Sequence, residues 1–336
     1  MKALFVGDVH AKVEDLADCE ALRNKVLRIV AHEGVDAVIF LGDQYDSHAV
    51  KHVEVEKFWL GFFDELEKLG VKVYALVGNH DRPGNAAVRS HSMQVHRHNV
   101  MVVDEPLAVG PFLFLPYYHD PKKLVEDASR FPGTQVLICH APFEGGKMDN
   151  GTPIKADAFY GKDVVNPDDL PQRFIVSGHI HKGAAFGKVW YPGSPRWQTM
   201  SDANTSRAIY TCRFNDTDGS SIGCEEAFHT DSDLRRTWDL VYTPEDHCEA
   251  ELALVRPNDK VRLNIRGPTD FCEETKRLFA GKGYRTPTFP TDRGVAKVSE
   301  AEGIPVAFKK HFASFKPKHG TPLDVLRGMV HERLNV

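Results

Sequence analysis

Five short polar motifs lie along the chain in one order. They are Asp8-Val9-His10, Gly42-Asp43-Gln44-Tyr45-Asp46, Gly78-Asn79-His80-Asp81, Cys139-His140 and Gly178-His179-Ile180-His181. They supply carboxylates, one amide and several imidazoles, a mixture of hard and borderline ligands that suits Mn²⁺, Fe²⁺ or Zn²⁺ better than Ca²⁺ or a structural zinc. A carboxylate can bridge two ions, and two ions side by side can clamp a phosphoryl group. The motifs therefore predict a two-metal site suited to phosphate esters.

Each motif follows a short apolar run. Asp8 comes after Ala3 to Val6, and Asp43 comes after Ala37 to Leu41. The runs before Asn79, His140 and His179 have the same character, and all five indicate buried strands. Open α/β sheets place their ligand sites at the carboxyl ends of the strands. We therefore expect the five loops to converge on one point.

The motif series resembles that of the calcineurin-like metallophosphoesterases over roughly residues 1–215. The resemblance implies a fold of two packed β-sheets flanked by helices in four layers, an α/β (α+β) sandwich, and a centre of two divalent metal ions. It assigns one ion to Asp8, His10, Asp43 and His181, and the other to Asp43, Asn79, His140 and His179, with Asp43 as the bridge. A hydroxide held between the ions would attack the phosphodiester in line.

The resemblance also assigns roles around the metal ions. His80 would not be a ligand but would protonate the leaving oxygen as general acid. Asp81 would orient His80, and Asp46 would support the ligands from outside. Mn²⁺ is the expected metal, with Mg²⁺, Fe²⁺ and Zn²⁺ as alternatives.

Within this superfamily the chain is most similar to the DNA repair and recombination nucleases of the SbcD type. Ser47 stands where the protein phosphatases carry a phosphate-gripping Arg, and the Gly193-Ser194-Pro195 loop follows the His pair as in the nucleases. Residues 259–268 resemble the first strand of the small nuclease capping domain. We therefore expect a metal-dependent DNA nuclease, an exonuclease rather than an endonuclease, that binds DNA. By the same resemblance a coiled-coil ATPase subunit of the SbcC type is a candidate partner; a stand-alone exonuclease and a homodimer are the alternatives.

Two other functions stay open. The chain could be a phosphatase or phosphodiesterase for a small molecule or a phosphoprotein, and a substrate panel separates this from a nuclease. It could also be a non-catalytic scaffold, but a scaffold is expected to have lost ligands, and every motif position is filled here.

Basic and aromatic residues beside the motifs are candidates for DNA contact and base stacking. They are Arg82, Arg89, Arg97, Arg196 and Trp197. A histidine cluster formed by His91, His96 and His98 does not continue the motif series, so we interpret it as surface or DNA-facing rather than as a third metal site.

The composition of the chain limits the classes of protein to which it can belong. The chain has 336 residues, a net charge of −5 and six cysteines without Cys-x-x-Cys spacing. No apolar stretch is long enough to span a membrane, and Asp8 interrupts the first apolar run too early for a signal peptide. We expect reduced cysteines, no membrane contact and a cytoplasmic location.

Charge and turn residues suggest three segments. The catalytic domain would cover residues 1–215, a small α/β cap 216–300, and a basic tail with a terminal helix 301–336. Residues 215–251 carry a net charge of −9, whereas residues 303–336 carry +4. The cap is expected to contain a strand, a helix over 270–281 and a second strand.

Overall fold

The computed structural model describes residues 1–83, 90–155, 163–214 and 222–292. The predicted tail at 301–336, its terminal helix and Arg89 lie outside these residues. The described chain divides into two compact units. The first comprises residues 1–240 and 250–262, and the second comprises 241–249 together with the described residues from 263 onward.

The first unit contains two six-stranded sheets. The first sheet takes its strands in the order β12-β11-β1-β2-β3-β4. These strands are β1 (Lys2–Val6), β2 (Ala37–Phe40), β3 (Lys72–Leu76), β4 (Met101–Val103), β11 (Ala208–Phe214) and β12 (Ile222–His229). Strands β1 to β4 are parallel, and β11 and β12 are antiparallel to their neighbours. The predicted domain boundary at residue 215 therefore falls between two strands of one sheet.

The second sheet has the order β5-β6-β7-β8-β10-β9. Its strands are β5 (Leu107–Val109), β6 (Phe112–Phe114), β7 (Val136–His140), β8 (Phe174–Gly178), β9 (Ala184–Phe186) and β10 (Val189–Tyr191). Its central strands β6, β7, β8 and β10 are parallel. The carboxyl ends of β7 and β8 therefore lie at the same edge of this sheet.

Alternating side chains show how the layers pack. In β1, Leu4 and Val6 belong to the core under the helices, whereas Ala3 and Phe5 face the other sheet. Successive side chains of a strand point to opposite faces, so a strand that is apolar throughout must be covered on both. The helices α1 (Leu16–Glu33) and α2 (Val53–Lys68) cover the first sheet, and α3 (Pro121–Ser129) covers the second. The predicted architecture of two packed sheets flanked by helices is confirmed.

The last part of the described chain forms a small α/β element. A third sheet has the order β13-β14-β15. Its strands are β13 (Thr237–Tyr242), β14 (Lys260–Gly267) and β15 (Thr288–Pro290), and the nearby helices are α4 (Glu249–Leu254) and α5 (Thr269–Leu278). Strands β14 and β15 are parallel, with α5 between them in the chain. The predicted strand–helix–strand order is confirmed, although the helix ends three residues earlier than predicted.

Within the described residues, no helix combines the length and the apolar character needed to cross a membrane.

Candidate metal centre

The five motif loops meet at the carboxyl ends of β1, β2, β3, β7 and β8. Asp8 follows β1, Asp43 follows β2 and Asn79 follows β3, while His140 ends β7 and His179 follows β8. The two sheets face each other, so the loops from both bring their side chains together. The sequence prediction that these motifs converge agrees with the structure.

One group of metal donors is formed by Asp8, His10 and His181. The Nε2 atoms of His10 and His181 are 3.2 Å apart. Two carboxylates support this group from outside, because Asp149 Oδ2 lies 3.7 Å and Asp202 Oδ1 lies 4.0 Å from His181 Nδ1. Neither carboxylate was predicted from the sequence, since neither belongs to a motif and only the folded chain brings them to His181.

A second group is formed by Asn79, His140 and His179. The Oδ1 atom of Asn79 lies 2.9 Å from His140 Nε2 and 3.0 Å from His179 Nδ1. This spacing brings one amide oxygen and two imidazole nitrogens to one point, which suits a divalent cation with mixed oxygen and nitrogen ligands.

Asp43 lies between the two groups. Its Oδ2 atom is 3.4 Å from His10 Nε2 in the first group and 3.4 Å from His140 Nε2 in the second. Burial opposes ionisation of Asp43, but the charge of His140 and the contact with His10 outweigh burial and hold the pKa of this carboxyl well below its usual range. An ionised carboxylate midway between two donor groups is the arrangement that a bridging ligand requires.

Several of these donor atoms are hydrogen-bond acceptors that face other acceptors, so they suit a cation better than hydrogen bonds to one another. His140 Nδ1 lies 2.8 Å from the carbonyl oxygen of Leu41, and a carbonyl only accepts, so Nδ1 must donate. In the neutral ring, the Nε2 lone pair then faces the oxygens of Asn79 and Asp43. Among the described residues, the buried Oδ2 atom of Asp8 has no hydrogen-bond partner. Such unmatched acceptors are costly unless a cation lies among them.

Protonation of an imidazole is a second way to give these acceptors a hydrogen-bond donor. Burial lowers the pKa of His140, but the neighbouring Asp43 carboxylate outweighs burial and raises that pKa to about 9. Burial and the charge of His140 lower the pKa of His179 to about 3, and burial also lowers the pKa of His10. The neutral imidazoles of His10 and His179 keep lone pairs for ligation, as metal binding requires.

The backbone is strained where it presents these ligands. His10, Asp43 and His179 adopt left-handed backbone angles, with φ of 46°, 52° and 86°. Such conformations cost of order 1–3 kcal/mol each and cluster at functional sites. Three predicted ligands therefore hold backbone conformations that their surroundings must enforce.

The glycine of Gly78-Asn79 is required by close approach. A Cβ atom at Gly78 would lie 2.1 Å from Asp43 Oδ1. The missing side chain thus lets the β3 loop pass against the Asp43 carboxylate, which also accepts from the backbone N–H of His80 at 2.8 Å.

His80 is oriented differently from the sequence expectation. Its Nδ1 lies 2.7 Å from the backbone carbonyl of Asp46, which therefore accepts a hydrogen bond and leaves Nε2 for another partner. Asp81, expected to orient His80, instead accepts from the backbone N–H groups of Gly78 and Tyr45, at 2.9 and 3.1 Å. Asp81 thus fixes the two motif loops, and burial together with Asp43 raises its pKa to about 6.

The Asp46 side chain lies at the edge of the first donor group. Its Oδ1 atom is 3.6 Å from His10 Nδ1. The supporting role expected of Asp46 stays a prediction.

A further imidazole lies against His80. The ring of His48 is 4.0 Å from the ring of His80 between centroids, with a 30° tilt, and His48 Nδ1 lies 3.3 Å from the carbonyl of Arg82. His48 was not predicted from the sequence, because a lone histidine five residues after Asp43 carries no spacing signal.

Two of the predicted DNA-contacting residues are buried, and these predictions are wrong. Arg196 is 1% exposed and donates to the carbonyls of Val9 and His10, each at 2.6 Å, and to Asp15 Oδ2 at 3.1 Å. Trp197 is 2% exposed and donates to the carbonyl of Thr205 at 3.0 Å. Their position directly after a motif loop suggested that both side chains are exposed. Arg196 is instead buried and holds the backbone of Val9 and His10 through hydrogen bonds.

The remaining arginine candidates differ in exposure. Arg82 is half-buried, and its Nε atom is buried without a hydrogen-bond partner among the described residues. Arg97 is exposed and forms an ion pair with Asp104. Both stay predictions as DNA contacts.

The histidine cluster was also interpreted incorrectly in part. His96 is fully buried and lies 2.8 Å from the Tyr45 hydroxyl, and His91 is buried and lies 3.0 Å from Asp104 Oδ2. His98 alone of the three is exposed. His91 and His96 are therefore buried side chains with partners inside the protein rather than surface or DNA-facing residues.

Comparison with known proteins identifies the family of the first half of the chain. Residues 1–183 match the family described as calcineurin-like phosphoesterase. The chain is 30% identical over 209 residues to "Putative phosphoesterase 078R" of Invertebrate iridescent virus 3, an alignment that covers 58% of this chain and 57% of the viral protein. The chain thus spans little more than half the length of that relative.

Two solved structures are also similar. The nuclease MPE of Pseudomonas putida aligns with 62% of this chain and 83% of its own, at 16% identity and a TM-score of 0.30. The phosphoesterase YfcE of E. coli aligns with 68% of this chain and 98% of its own, at 15% identity and a TM-score of 0.30.

Proposed function

We propose, from the premise that this chain belongs to the calcineurin-like phosphoesterase family, that it is a two-metal phosphodiesterase that degrades DNA as an exonuclease. The position of Asp43 carries the proposal. A single ionised carboxylate oxygen lies 3.4 Å from an imidazole of each donor group. Such a bridge suits two ions roughly 3.5–4 Å apart, the spacing of two-metal phosphoesterase sites.

The donor set fits two divalent cations. Asp8, His10, Asp43 and His181 would hold one, and Asp43, Asn79, His140 and His179 would hold the other. When bound, the ions would supply Lewis acidity towards the phosphoryl oxygens and activate water for attack. Mn²⁺ is the proposed metal, since carboxylate, amide and imidazole together suit it; Mg²⁺, Fe²⁺ and Zn²⁺ are the alternatives.

His80 is the proposed general acid. The Asp46 carbonyl fixes its Nδ1 as a donor, so Nε2 is the nitrogen that gives a proton to the leaving oxygen. The half-buried stack with His48 holds the ring plane. Asp81 fixes the backbone on both sides of His80 rather than the imidazole itself.

Two features support a diester such as DNA over a phosphomonoester. Ser47 provides no cation at the position where the related protein phosphatases carry an Arg, so a dianionic monoester would lack that partner. The Gly193-Ser194-Pro195 loop, which the nucleases share, is tied to the centre: the Ser194 N–H donates to the His181 carbonyl at 2.9 Å. Arg82 is the proposed phosphate contact beside the centre.

A second function is favoured by charge. The net charge of −5 does not attract a polyanion, and this favours a small diester or a phosphoprotein as substrate. The local charge of bound cations acts in the opposite direction at the site itself.

The test is a substrate panel with the full chain. End-labelled single- and double-stranded DNA, cyclic nucleotides, bis-p-nitrophenyl phosphate and a phosphopeptide are incubated with Mn²⁺, Mg²⁺, Fe²⁺ or Zn²⁺ and with EDTA. We expect mononucleotide release from DNA ends with Mn²⁺, none with EDTA, and none with Asp43→Asn. Turnover of cyclic nucleotides or phosphopeptide without DNA cleavage would contradict the nuclease and support the second function.

A further inference from the structure

Two cysteines lie opposite each other at the edge of the first sheet. Cys212 in β11 is the register partner of Cys224 in the antiparallel edge strand β12. Their Sγ atoms are 2.9 Å apart. This is within the sum of two sulfur radii, so the thiols are already in contact.

The strand geometry permits a covalent bond between them. Directly opposed residues of an antiparallel pair have Cα atoms roughly 4.5–5.5 Å apart, and disulfides span about 4.4–6.8 Å between Cα atoms. The sulfurs need to approach by less than 1 Å to reach a bond of about 2.05 Å. The ladder has a register shift between Thr211 and Cys212, but Cys212 and Cys224 stay opposite each other, so rotation of the side chains is the movement that would close the remaining distance.

The two thiols differ in accessibility. Cys224 is exposed, whereas Cys212 is buried, as are the other four cysteines. The hydrogen bond from Cys212 lowers the pKa of the Cys224 thiol and favours its thiolate, which is the reactive form. Cys224 is therefore the thiol that meets an oxidant, and Cys212 is placed to resolve the product.

We propose that Cys212 and Cys224 form a reversible disulfide when the protein meets a peroxide. With hydrogen peroxide, the Cys224 thiolate attacks one peroxide oxygen, the O–O bond breaks, and Cys224 becomes a sulfenic acid with release of hydroxide, which takes up a proton to become water. The Cys212 thiol then loses its proton as its sulfur attacks the Cys224 sulfur, the S–O bond breaks, and the sulfenic oxygen leaves with that proton as a second water. Two thiols are oxidised, and one peroxide is reduced to two waters.

The pair lies far from the metal centre along the sheet. Cys212 is paired with Ala3 near the start of β1, and Asp8 is five residues further along that chain. At about 3.3 Å per residue this is roughly 16 Å. The disulfide would therefore fix the edge strand β12 to β11 without reaching the metal ligands, and the proposal does not rest on the phosphoesterase function.

The experiment oxidises the full chain with hydrogen peroxide and counts thiols after denaturation. Reduced protein should show six thiols, and oxidised protein should show four, with a loss of 2 Da and a cross-linked peptide pair containing Cys212 and Cys224. Dithiothreitol should restore all six. In Cys224→Ser the thiols should stay unoxidised, and in Cys212→Ser the Cys224 sulfenic acid should persist and react with dimedone.

Two outcomes would overturn the proposal. One is a wild-type protein that keeps six thiols at peroxide concentrations that oxidise Cys224 in Cys212→Ser. The other is a cross-link that joins any other pair. Hydrolysis of bis-p-nitrophenyl phosphate should be equal in the reduced and oxidised forms, and a reversible loss greater than twofold would contradict the separation from the metal centre.

Discussion

Two buried clusters of charged side chains lie in the first unit, and they differ in how the protein satisfies them. Asp15 is 2% exposed, and its carboxylate contacts Arg196 at 3.1 Å, Arg235 at 2.5 Å and Lys260 at 3.2 Å. Asp8 is fully buried too, yet its Oδ2 atom has no hydrogen-bond partner in the part of the chain that the structure describes.

The difference separates a structural cluster from a functional one. A buried charge must be paired, and around Asp15 the protein itself supplies the cations. Around Asp8 and Asp43 the neighbours are imidazole nitrogens and an amide oxygen, and of these His140, whose pKa the Asp43 carboxylate raises to about 9 against the effect of burial, is the one that can pair as a cation. Burial and charge alone therefore do not identify a candidate site; buried acceptors whose neighbours are metal donors rather than fixed cations do.

The strongest test of this comparison is Asp43→Asn. The amide keeps the size of the side chain but removes the charge that the two donor groups share, so both ions should be lost. Activity should fall by more than the 10–100-fold typical of outer-shell changes. Metal content per chain, measured by mass spectrometry of the desalted protein, checks this.

His10→Ala is the comparison variant, since His10 belongs to one group only. It should lose mainly one ion. Equal metal losses in the two variants would contradict a bridging Asp43.

His80→Ala should lower kcat for DNA by about 10²–10⁴-fold while metal content stays at the wild-type level. The reason is that His80 bonds to the Asp46 carbonyl and is oriented for proton transfer rather than for ligation. Kinetics with metal-saturated protein and metal analysis of the same sample check it. Loss of the metals would instead make His80 a ligand.

Arg196→Met tests the structural cluster. Arg235 and Lys260 still pair with Asp15 in this variant, so the cost should lie below the roughly 3–5 kcal/mol of an uncompensated buried charge, at about 1–3 kcal/mol. The variant also loses the donors to the carbonyls of Val9 and His10, so metal affinity should fall about 10–100-fold. Urea unfolding and metal titration measure the two effects.

Arg97→Met is the matched control for Arg196. Arg97 pairs with Asp104 at the surface, and such pairs contribute about 0–1 kcal/mol. An equal loss of unfolding free energy in the two variants would show that the buried ion pairs stabilise the protein no more than the surface pair does.

The convergence of the motif side chains was predictable because each is marked twice, by residue type and by the apolar strand before it, while their roles as ligands stay a prediction. Asp8 and His140 illustrate this. The same reasoning failed for Arg196 and Trp197. A buried arginine that donates to loop carbonyls has no local sequence signal that distinguishes it from an arginine that contacts a substrate. Its partner Asp15 lies 181 residues away in the chain, so only the folded structure brings the pair together.

The orientation of His80 was unpredictable for a related reason. Its partner is the backbone carbonyl of Asp46, and a carbonyl is present at every position of every chain. Only the path of the β2 loop decides which carbonyl reaches the ring. Asp81, the expected partner, was a plausible side chain in the motif but is engaged by backbone N–H groups.

Acid should weaken the cluster of ion pairs around Asp15 over a defined pH range. Burial raises the pKa of Asp15, but Arg196 and Lys260 outweigh burial and lower it from 3.8 to about 2. The stability that this carboxylate contributes, about 2 kcal/mol, is present above the unfolded pKa and is lost as the pH falls from about 4 through 2.

The measurement is the difference in unfolding free energy between the wild type and Asp15→Asn, in EDTA, at several pH values. This difference should shrink by about 2 kcal/mol between pH 6 and pH 2. A difference that does not change with pH would show that the carboxylate charge is not what the cluster uses.

The smallest expected effect is that of His48, which tests how finely the functional cluster is held. Its ring lies 4.0 Å from that of His80, and ring pairs contribute about 0.5–1.5 kcal/mol. If this energy restrains the His80 ring for proton transfer, His48→Ala should lower kcat by about 2- to 10-fold with KM and metal content unchanged. His48→Phe retains a ring that can stack but loses the contact with the Arg82 carbonyl, so it should recover most of kcat. A phenylalanine variant as slow as the alanine variant would show that the hydrogen bond to Arg82, rather than the stack, positions His80, and wild-type rates in both would remove His48 from the functional cluster.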